Sequence, residues 1–269
     1  MITTLGKPII LKALTTSGET FAASMGFGIS DAAPVPGDLS LDFEIVQSPV
    51  DVVDYDEGTS RILVRSVVPY GVLLNVHEVG ISTQDERSDE NFVSGMVTFF
   101  DDDEESWSGY DALETSGVRS GNAAFRLNMG GGTGLISSSH PPILFEDMLA
   151  TSTLALAYQR LGGAATATFR AHVDASNYRA YSFSLGAGFG VERWTRSEFT
   201  ETGSAPWADI SYVEIGFSGD GPILLEGLRQ DEYSVDSDIL VARYVLGAPL
   251  PVLGSSEVQF EYSLPVVFS

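Results

Sequence analysis

The chain contains no cysteine, which excludes disulfide bridges, thiolate metal sites and a cysteine nucleophile. Lysine is almost absent as well, because Lys7 and Lys12 are the two lysines among 14 basic residues. No apolar run approaches the roughly 18 residues that a membrane-spanning helix needs. The amino terminus lacks the basic, apolar and small-residue order of a secretory signal. We therefore expect a soluble, non-secreted chain with no insertion into a membrane.

Acidic residues outnumber basic ones by 37 to 14, which gives the 269-residue chain a formal net charge of −23. Phosphate backbones attract clusters of lysine and arginine, so nucleic acid is excluded as an expected partner. An acidic, lysine-poor surface is typical of proteins kept in molar salt, where screening removes self-repulsion. An ordinary acidic extracellular or virion protein stays open as the alternative. Hydrophobic residues make up 43% of the chain, enough to fill the cores of two domains.

The end of the chain, from Leu240 onward, predicts two strands around a Gly/Ser turn. In the second strand apolar residues alternate with polar ones, namely Val258, Phe260 and Tyr262 with Glu257, Gln259 and Glu261. Two strands alone are marginal in water, so this tail must join a larger sheet. Strands predicted at 45–53, 61–69 and 73–80 offer one. Everything between is then an inserted domain, bounded by the polar runs 83–91 and 230–238.

Several features follow one another in the first 83 residues: a glycine- and proline-rich turn at 27–41, the pair Tyr70-Gly71, and the run 77–81, His-Glu-Val-Gly-Ile. Together with the closing strands, they resemble the amino-terminal domain of tail-fibre and tail-collar-type structural proteins of tailed viruses. Ser30-Asp31 departs from the small Gly/Thr pair common in such proteins. The resemblance implies a discontinuous virion-attachment domain, residues 1–83 and 238–269, in a homo-oligomer, with a trimer favoured. The acidic composition adds a halophilic archaeal virus as a source.

The intervening segment contains a second set of motifs, at 96–107, 118–127 and 207–231. They resemble the start, second strand and end of a jelly-roll carbohydrate-binding-type module, which implies an inserted module over 92–235. Closely spaced strands agree with an antiparallel β-sandwich; they are predicted at 154–158, 166–173, 178–185, 190–196, 209–217 and 223–228. The rows expected to face the core are Ala167, Phe169, Ala171 and Val173; Tyr181, Phe183 and Leu185; and Val213, Ile215 and Phe217.

The opposite rows of these strands are the candidate binding surface. The alternation places six side chains there: Arg170, His172, Glu192, Trp194, Tyr212 and Glu214. Sugars bind such faces because an aromatic ring covers the apolar side of a pyranose while polar groups take its hydroxyls. The alternative is a plain solvated outer face, since scattered surface aromatics are normal.

An acidic run at 101–105 lies where modules of the resembling kind often hold a structural calcium. The resemblance implies partners at the end of the module and a ligand set drawn from Asp101, Asp102, Asp103, Asp231 and Glu232. Carboxylate oxygens suit Ca²⁺, which takes six to eight oxygen ligands. A solvated acidic loop is the alternative, and no other cofactor is expected.

Catalysis finds little support in the sequence. Nothing orders the three histidines, His77, His140 and His172, into a triad. Glu192 and Glu214 form the one carboxylate pair worth considering for glycan hydrolysis, and their spacing does not argue for it. The run 130–134, Gly-Gly-Gly-Thr-Gly, lacks the Lys and Ser/Thr of a phosphate loop and predicts a flexible inter-strand loop. We expect no catalytic residue.

The sequence thus predicts an all-β, two-domain virion protein. Its terminal segments attach it to other proteins of the particle, on the tail or capsid surface, after assembly in the host cytoplasm. The inserted jelly roll recognises a host-surface glycan or glycoprotein without covalent chemistry. Two alternatives stay open: a capsid-decorating, turret or baseplate protein with no receptor role, and, less favoured, a glycan-degrading enzyme.

Overall fold

The structure is a computed structural model that describes residues 1–15, 21–56, 58–59, 61–68, 71–83, 96–100, 107–139, 145, 152–231, 240–255 and 257–265. Antiparallel strands dominate it, which confirms the predicted all-β class. The chain divides into two compact units, one formed by residues 1–94 and 234–269 and the other by residues 95–233. No helix in the described part of the chain is both long and apolar enough to cross a membrane.

The first unit is a six-stranded antiparallel sheet with one helix. Its elements are α1 (Gly6–Thr15), β1 (Ser24–Gly28), β2 (Glu44–Asp56), β3 (Arg61–Val68), β4 (Leu73–Ser82), β15 (Leu240–Leu253) and β16 (Val258–Pro265). The strand order is β15-β4-β1-β2-β3-β16. The tail therefore joins the first ninety residues, as its sequence predicts: β15 pairs with β4, and β16 pairs with β3. The two tail strands stand at opposite ends of this order.

Local sequence explains most of these elements. β3 alternates between buried and more exposed residues, as its period of two predicts, with Ile62 and Val64 in the core. The segment 9–14, which periodicity left open between helix and strand, is part of α1. The Thr3 hydroxyl accepts the Gly6 N–H at 2.9 Å, which satisfies one of the free donors at a helix start.

A buried charge network joins three separate parts of this sheet. The Arg243 guanidinium of β15 donates to Glu78 of β4 at 2.9 Å and to Asp38 at 3.0 Å. Glu78 is fully buried and also accepts the backbone N–H groups of Asp42 and Phe43, at 3.1 and 2.8 Å. Burial raises the pKa of Glu78, while the Arg243 charge opposes that rise. The network fixes the turn before β2 to the tail of the chain.

The second unit is built from the remaining ten strands. They are β5 (Met96–Phe99), β6 (Trp107–Ser108), β7 (Ala112–Glu114), β8 (Ala124–Ser138), β9 (Thr153–Arg160), β10 (Ala165–Asp174), β11 (Asn177–Leu185), β12 (Gly188–Thr195), β13 (Thr200–Thr202) and β14 (Tyr212–Asp231), with short 3-10 helices at Arg196–Glu198 and Trp207–Asp209. Their order is β12-β9-β14-β10-β11-β13, with β8 pairing β14, β6 and β7, and β5 pairing β14.

One long strand, β14, replaces the two strands predicted at 209–217 and 223–228. Its first half pairs with β10 and its second half with β9, so one strand serves both halves of the unit. Gly219 and Gly221 lie at the change of partner with φ of 130° and 89°, a conformation that favours glycine. A Cβ on Gly219 would lie 2.1 Å from the Ala164 carbonyl oxygen.

The flexible loop predicted at 130–134 is wrong, because β8 runs through these residues. In this stretch Gly132 pairs with Gly219 of β14. A Cβ on Gly134 would lie 2.8 Å from a Leu127 methyl, so a glycine meets a packing need inside a paired strand. The glycine run therefore lies within β8 and is not a break between strands.

The core of the second unit contains the inward rows of β10 and β14, as predicted for Phe169, Ile215 and Phe217 among others. Glu226 of β14 is fully buried beside this core at a register irregularity. Its Oε2 accepts the backbone N–H of Arg119 at 3.1 Å. Burial raises the pKa of Glu226 to about 7, against the opposing effect of the N–H groups of Arg119 and Ser120.

This raised pKa predicts a pH-dependent stability in the second unit. A folded-state pKa above the unfolded value means that the contribution of Glu226 is fully present below pH 4.5 and is lost as pH rises through about 7. Glu226→Gln is therefore expected to unfold at the same urea concentration as wild type at pH 4. Above pH 8 the variant should be the more stable by up to roughly 3 kcal/mol.

Tryptophan fluorescence during urea unfolding measures this effect, because Trp107, Trp194 and Trp207 all lie in the second unit. Glu114→Gln is the control variant. Hydrogen bonds from Ser116 lower the pKa of the Glu114 carboxyl to about 2, so in the folded protein this carboxyl stays ionised between pH 4 and 8. Equal unfolding midpoints for Glu226→Gln and wild type across this pH range would contradict the assignment.

Candidate binding face

The outer face of the sheet formed by β11, β10 and the first half of β14 carries most of the predicted site residues. Alternation along β10 sends Ala167, Phe169 and Ala171 into the core, so Arg170 and His172 point away from it. Register then sets the neighbours on the outer face. His172 stands between Tyr178 of β11 and Tyr212 of β14, and Arg170 between Ala180 and Glu214.

Three rings form a row at one end of this face. The Tyr212 ring lies parallel to the His172 ring, with centroids 4.4 Å apart and an interplanar angle of 5°. Tyr178 flanks the histidine on its other side at 5.1 Å. The imidazole is thereby 94% buried, whereas both tyrosines are half-buried. Burial raises the pKa of Tyr212, with a further rise from the Glu214 charge, so its hydroxyl stays a hydrogen-bond donor.

Both ring nitrogens of His172 face acceptors. Nδ1 lies 3.2 Å from the Asp174 carbonyl oxygen, and Nε2 lies 3.0 Å from Glu214 Oε2. The contact between Nε2 and Glu214 fixes the Glu214 side chain toward the ring row.

Hydroxyl pairs cover the rest of the face. Thr166 and Ser218 join β10 to β14 with a 2.7 Å hydroxyl contact, and Thr168 and Ser182 join β10 to β11 at 2.8 Å. Leu135 of β8, 46% exposed, stands opposite Gly216 on the same face. The face therefore combines aromatic, hydroxyl and apolar groups, which is the mixture that sugar rings require.

Two of the predicted site residues lie elsewhere. Trp194 is only 1% exposed and packs against Tyr181 and Phe169, with ring centroids 5.2 and 5.4 Å apart, so its predicted outward position is wrong. Glu192 shares its row, because Glu192 and Trp194 pair with the core residues Leu156 and Leu154. Each row of β12 contains one aromatic and one charged residue, so burial of the larger ring, the indole, decides the facing.

Glu192 is thereby separated from Glu214. Its Oε1 accepts the Tyr181 hydroxyl at 2.9 Å, and Tyr181 packs against the core from β11. Burial, followed by this hydrogen bond, raises the pKa of Tyr181 to about 12. Glu214 lies on the opposite face of the sheet that contains β11. The structure does not bring the two carboxylates together as the pair that glycoside hydrolysis needs.

The calcium prediction concerns Asp101, Asp102, Asp103, Asp231 and Glu232. The first three and Glu232 lie outside the described residues, as does the side chain of Asp231. Within the residues that are described, no three carboxylate, histidine or cysteine side chains cluster as a metal site. The structural calcium therefore stays a prediction.

Sequence reasoning missed Tyr178 and Leu135 on this face. Tyr178 shares the phase of Ser182 in β11, so the period of two held the signal for its outward position. Leu135 directly follows the loop predicted at 130–134, in a segment for which the sequence predicts no strand. Glu226 had no comparable signal, because a single acidic residue within a strand predicts exposure.

No protein-family model matches the chain, and no curated protein is similar to it. Three similar solved structures are carbohydrate-binding modules. The family 11 module from Clostridium thermocellum, in complex with a β-1,3-1,4-mixed-linked tetrasaccharide, is 12% identical, with 52% of this chain and 96% of that chain covered and a TM-score of 0.39. The xylan-binding CBM22-2 domain from Paenibacillus barcinonensis is 11% identical, with 50% of this chain and 97% of that chain covered and a TM-score of 0.33. A module from Cellvibrio mixtus lichenase 5A, in complex with cellotriose, is 12% identical, with 51% of this chain and 97% of that chain covered and a TM-score of 0.31.

Proposed function

We propose that residues 95–233 bind a glycan, without covalent chemistry, through the outer face of β10, β11 and β14. The observation that carries the proposal is the half-buried pair Tyr178 and Tyr212, which flank the buried His172 beside paired serine and threonine hydroxyls. Aromatic rings take the apolar C–H side of a pyranose, and the polar groups around them take its hydroxyls. The hydrogen bond between His172 and Glu214 holds the row in place.

A glycan array probed with the full chain, in low and in molar salt, tests this function. We expect Tyr212→Ala to weaken binding about tenfold, because removal of one stacked ring costs on the order of 1.4 kcal/mol. Tyr244→Ala is the matched control, since Tyr244 is 49% exposed in the first unit and should leave binding unchanged. A folded chain that retains no glycan at either salt, or a Tyr212→Ala variant that binds as wild type, would overturn the proposal.

For the terminal segments, 1–83 and 238–269, we propose attachment to a virus particle as part of a tail fibre or spike. The support is their resemblance to tail-fibre and tail-collar-type proteins. The partners are then other virion proteins and further copies of the chain, with three copies favoured. The charge of −23 supports a halophilic virus as the source. Detection of the chain in purified particles and sedimentation of the purified protein test these two points.

Competition with infection separates a receptor-binding role from a capsid-decorating, turret or baseplate role. Purified chain that blocks infection, with the block weakened by Tyr212→Ala, would support receptor binding through the candidate face. A folded oligomer that neither binds host cells nor blocks infection would favour the decorating or assembly role.

A further inference from the structure

The candidate binding face contains an arginine whose expected partner is engaged elsewhere. Arg170 of β10 stands directly opposite Glu214 of β14, at a separation where opposite charges normally pair. The Glu214 carboxyl group instead hydrogen-bonds His172, at 3.0 Å. Within the described residues, no hydrogen bond or ion pair holds the Arg170 guanidinium.

The surroundings of Arg170 leave its guanidinium accessible from the outer face. Its neighbour on β11 is Ala180, and on β14 the glycine at 216 follows Glu214 on the same face. Arg170 Nη1 lies 3.3 Å from the point where a Cβ on Gly216 would be. The Tyr178 ring lies on the other side, with its centroid 6.0 Å from Arg170 Cζ. Small residues, one aromatic ring and the engaged Glu214 therefore border the charge.

An available guanidinium is unexpected in this chain, because acidic residues outnumber basic ones by 37 to 14. Other arginines of the same unit meet carboxylates: Arg126 contacts Glu114 at 2.7 Å, and Arg179 contacts Glu201 at 2.9 Å. Asp174, at the end of β10, is held by Asn177 and by the Ser176 N–H. Among the described residues of β10 and β14 on this face, the acidic side chains Glu214 and Asp174 are thus bound to other donors.

We infer that Arg170 binds an anionic group on the glycan, and that this group is the carboxylate of an acidic sugar such as a uronic or sialic acid. The assignment rests on the glycan-binding function proposed above and adds the class of sugar. The planar guanidinium matches the two oxygens of a carboxylate with two parallel hydrogen bonds. The ring row beside it then holds the apolar side of the same or the next sugar.

The net negative charge of the chain does not prevent this recognition. In molar salt the Debye length falls to about 3 Å, so the distant acidic residues are screened while a direct contact between guanidinium and carboxylate persists. We expect preference for the acidic sugar to remain in molar salt.

An array that prints each uronic- or sialic-acid glycan beside its carboxyl-reduced counterpart and a sulfated counterpart tests the inference with the full chain. Wild type should bind the acidic member at least about tenfold more tightly than the reduced one, because a charge-assisted bidentate contact is lost on reduction. Arg170→Gln should bind both members equally, and Arg170→Lys should keep part of the preference. Arg65→Gln, which removes an exposed arginine of the first unit, should leave the ratio unchanged.

The outcomes separate this inference from the function on which it rests. Equal binding of acidic and reduced members by wild type, preference for the sulfated member alone, or an acid preference that survives in Arg170→Gln would overturn the carboxylate assignment and leave glycan binding intact. A folded wild type that binds no member would overturn the proposed function itself. Circular dichroism of each variant confirms that it is folded.

Discussion

Replacement of Arg243 with methionine is expected to destabilise the first unit by about 3 to 5 kcal/mol, the cost of breaking a buried ion pair by removing one partner. The change leaves Glu78 fully buried without its cation and removes the donors to Asp38 and to the Ala32 carbonyl oxygen. Calorimetry of the full chain should show the loss as a lower unfolding temperature for one transition. The unfolding transition that tryptophan fluorescence follows belongs to the second unit and should not change.

Two further variants show whether the effect comes from the unpaired acid. Arg65→Met breaks an exposed ion pair with Glu261 and should cost less than about 1 kcal/mol. The double variant Glu78→Gln/Arg243→Met should be more stable than Arg243→Met alone, because no buried charge is left unpaired. An Arg243→Met variant as stable as Arg65→Met would contradict the network described for the first unit.

The second large effect is expected for Trp194→Ala, which should destabilise the second unit by about 3 to 5 kcal/mol. Trp194 contacts Phe169, Tyr181 and Phe183 in the core, and its removal leaves a large cavity. The remaining two tryptophans still report unfolding, so the urea midpoint of Trp194→Ala can be compared with that of wild type.

Trp194→Phe separates a core role from a binding role. Phenylalanine fills most of the cavity, so the variant should fold and bind the best array glycan with wild-type affinity. A folded Trp194→Phe with glycan binding weakened to the level of Tyr212→Ala would instead place Trp194 among the ligand contacts. Wild-type stability of Trp194→Ala would contradict its position in the core.

The sequence predicts those features that depend on one strongly alternating strand. Val258, Phe260 and Tyr262 alternate with charged or amide residues, and β16 joins the first unit at the predicted face. The phase of β10 is equally clear, because Ala167, Phe169 and Ala171 share a row, and it places Arg170 and His172 correctly. In these strands one row is distinctly more apolar, so burial of that row determines the facing.

The features that the sequence could not predict depend on partners from distant parts of the chain. Each row of β12 contains one aromatic and one charged residue, and only the contacts of Trp194 with other strands decide between the rows. The glycines of β8 predict a loop, and only the pairing of this stretch with β14 shows that it is part of a strand. The hydrogen bond between Glu214 and His172, which leaves Arg170 available, joins strands 42 residues apart in sequence. Burial of Glu78 likewise depends on Arg243, which comes from a distant part of the chain.

Hydroxyl-radical footprinting of the full chain, with and without the best glycan from the array, tests the binding face most directly. We expect the glycan to protect Tyr178 and Tyr212 from oxidation, while Tyr244 in the first unit is oxidised at the same rate in both samples. Protection confined to Tyr244, or equal oxidation of Tyr178 and Tyr212 at saturating glycan, would contradict the assignment of this face as the glycan site.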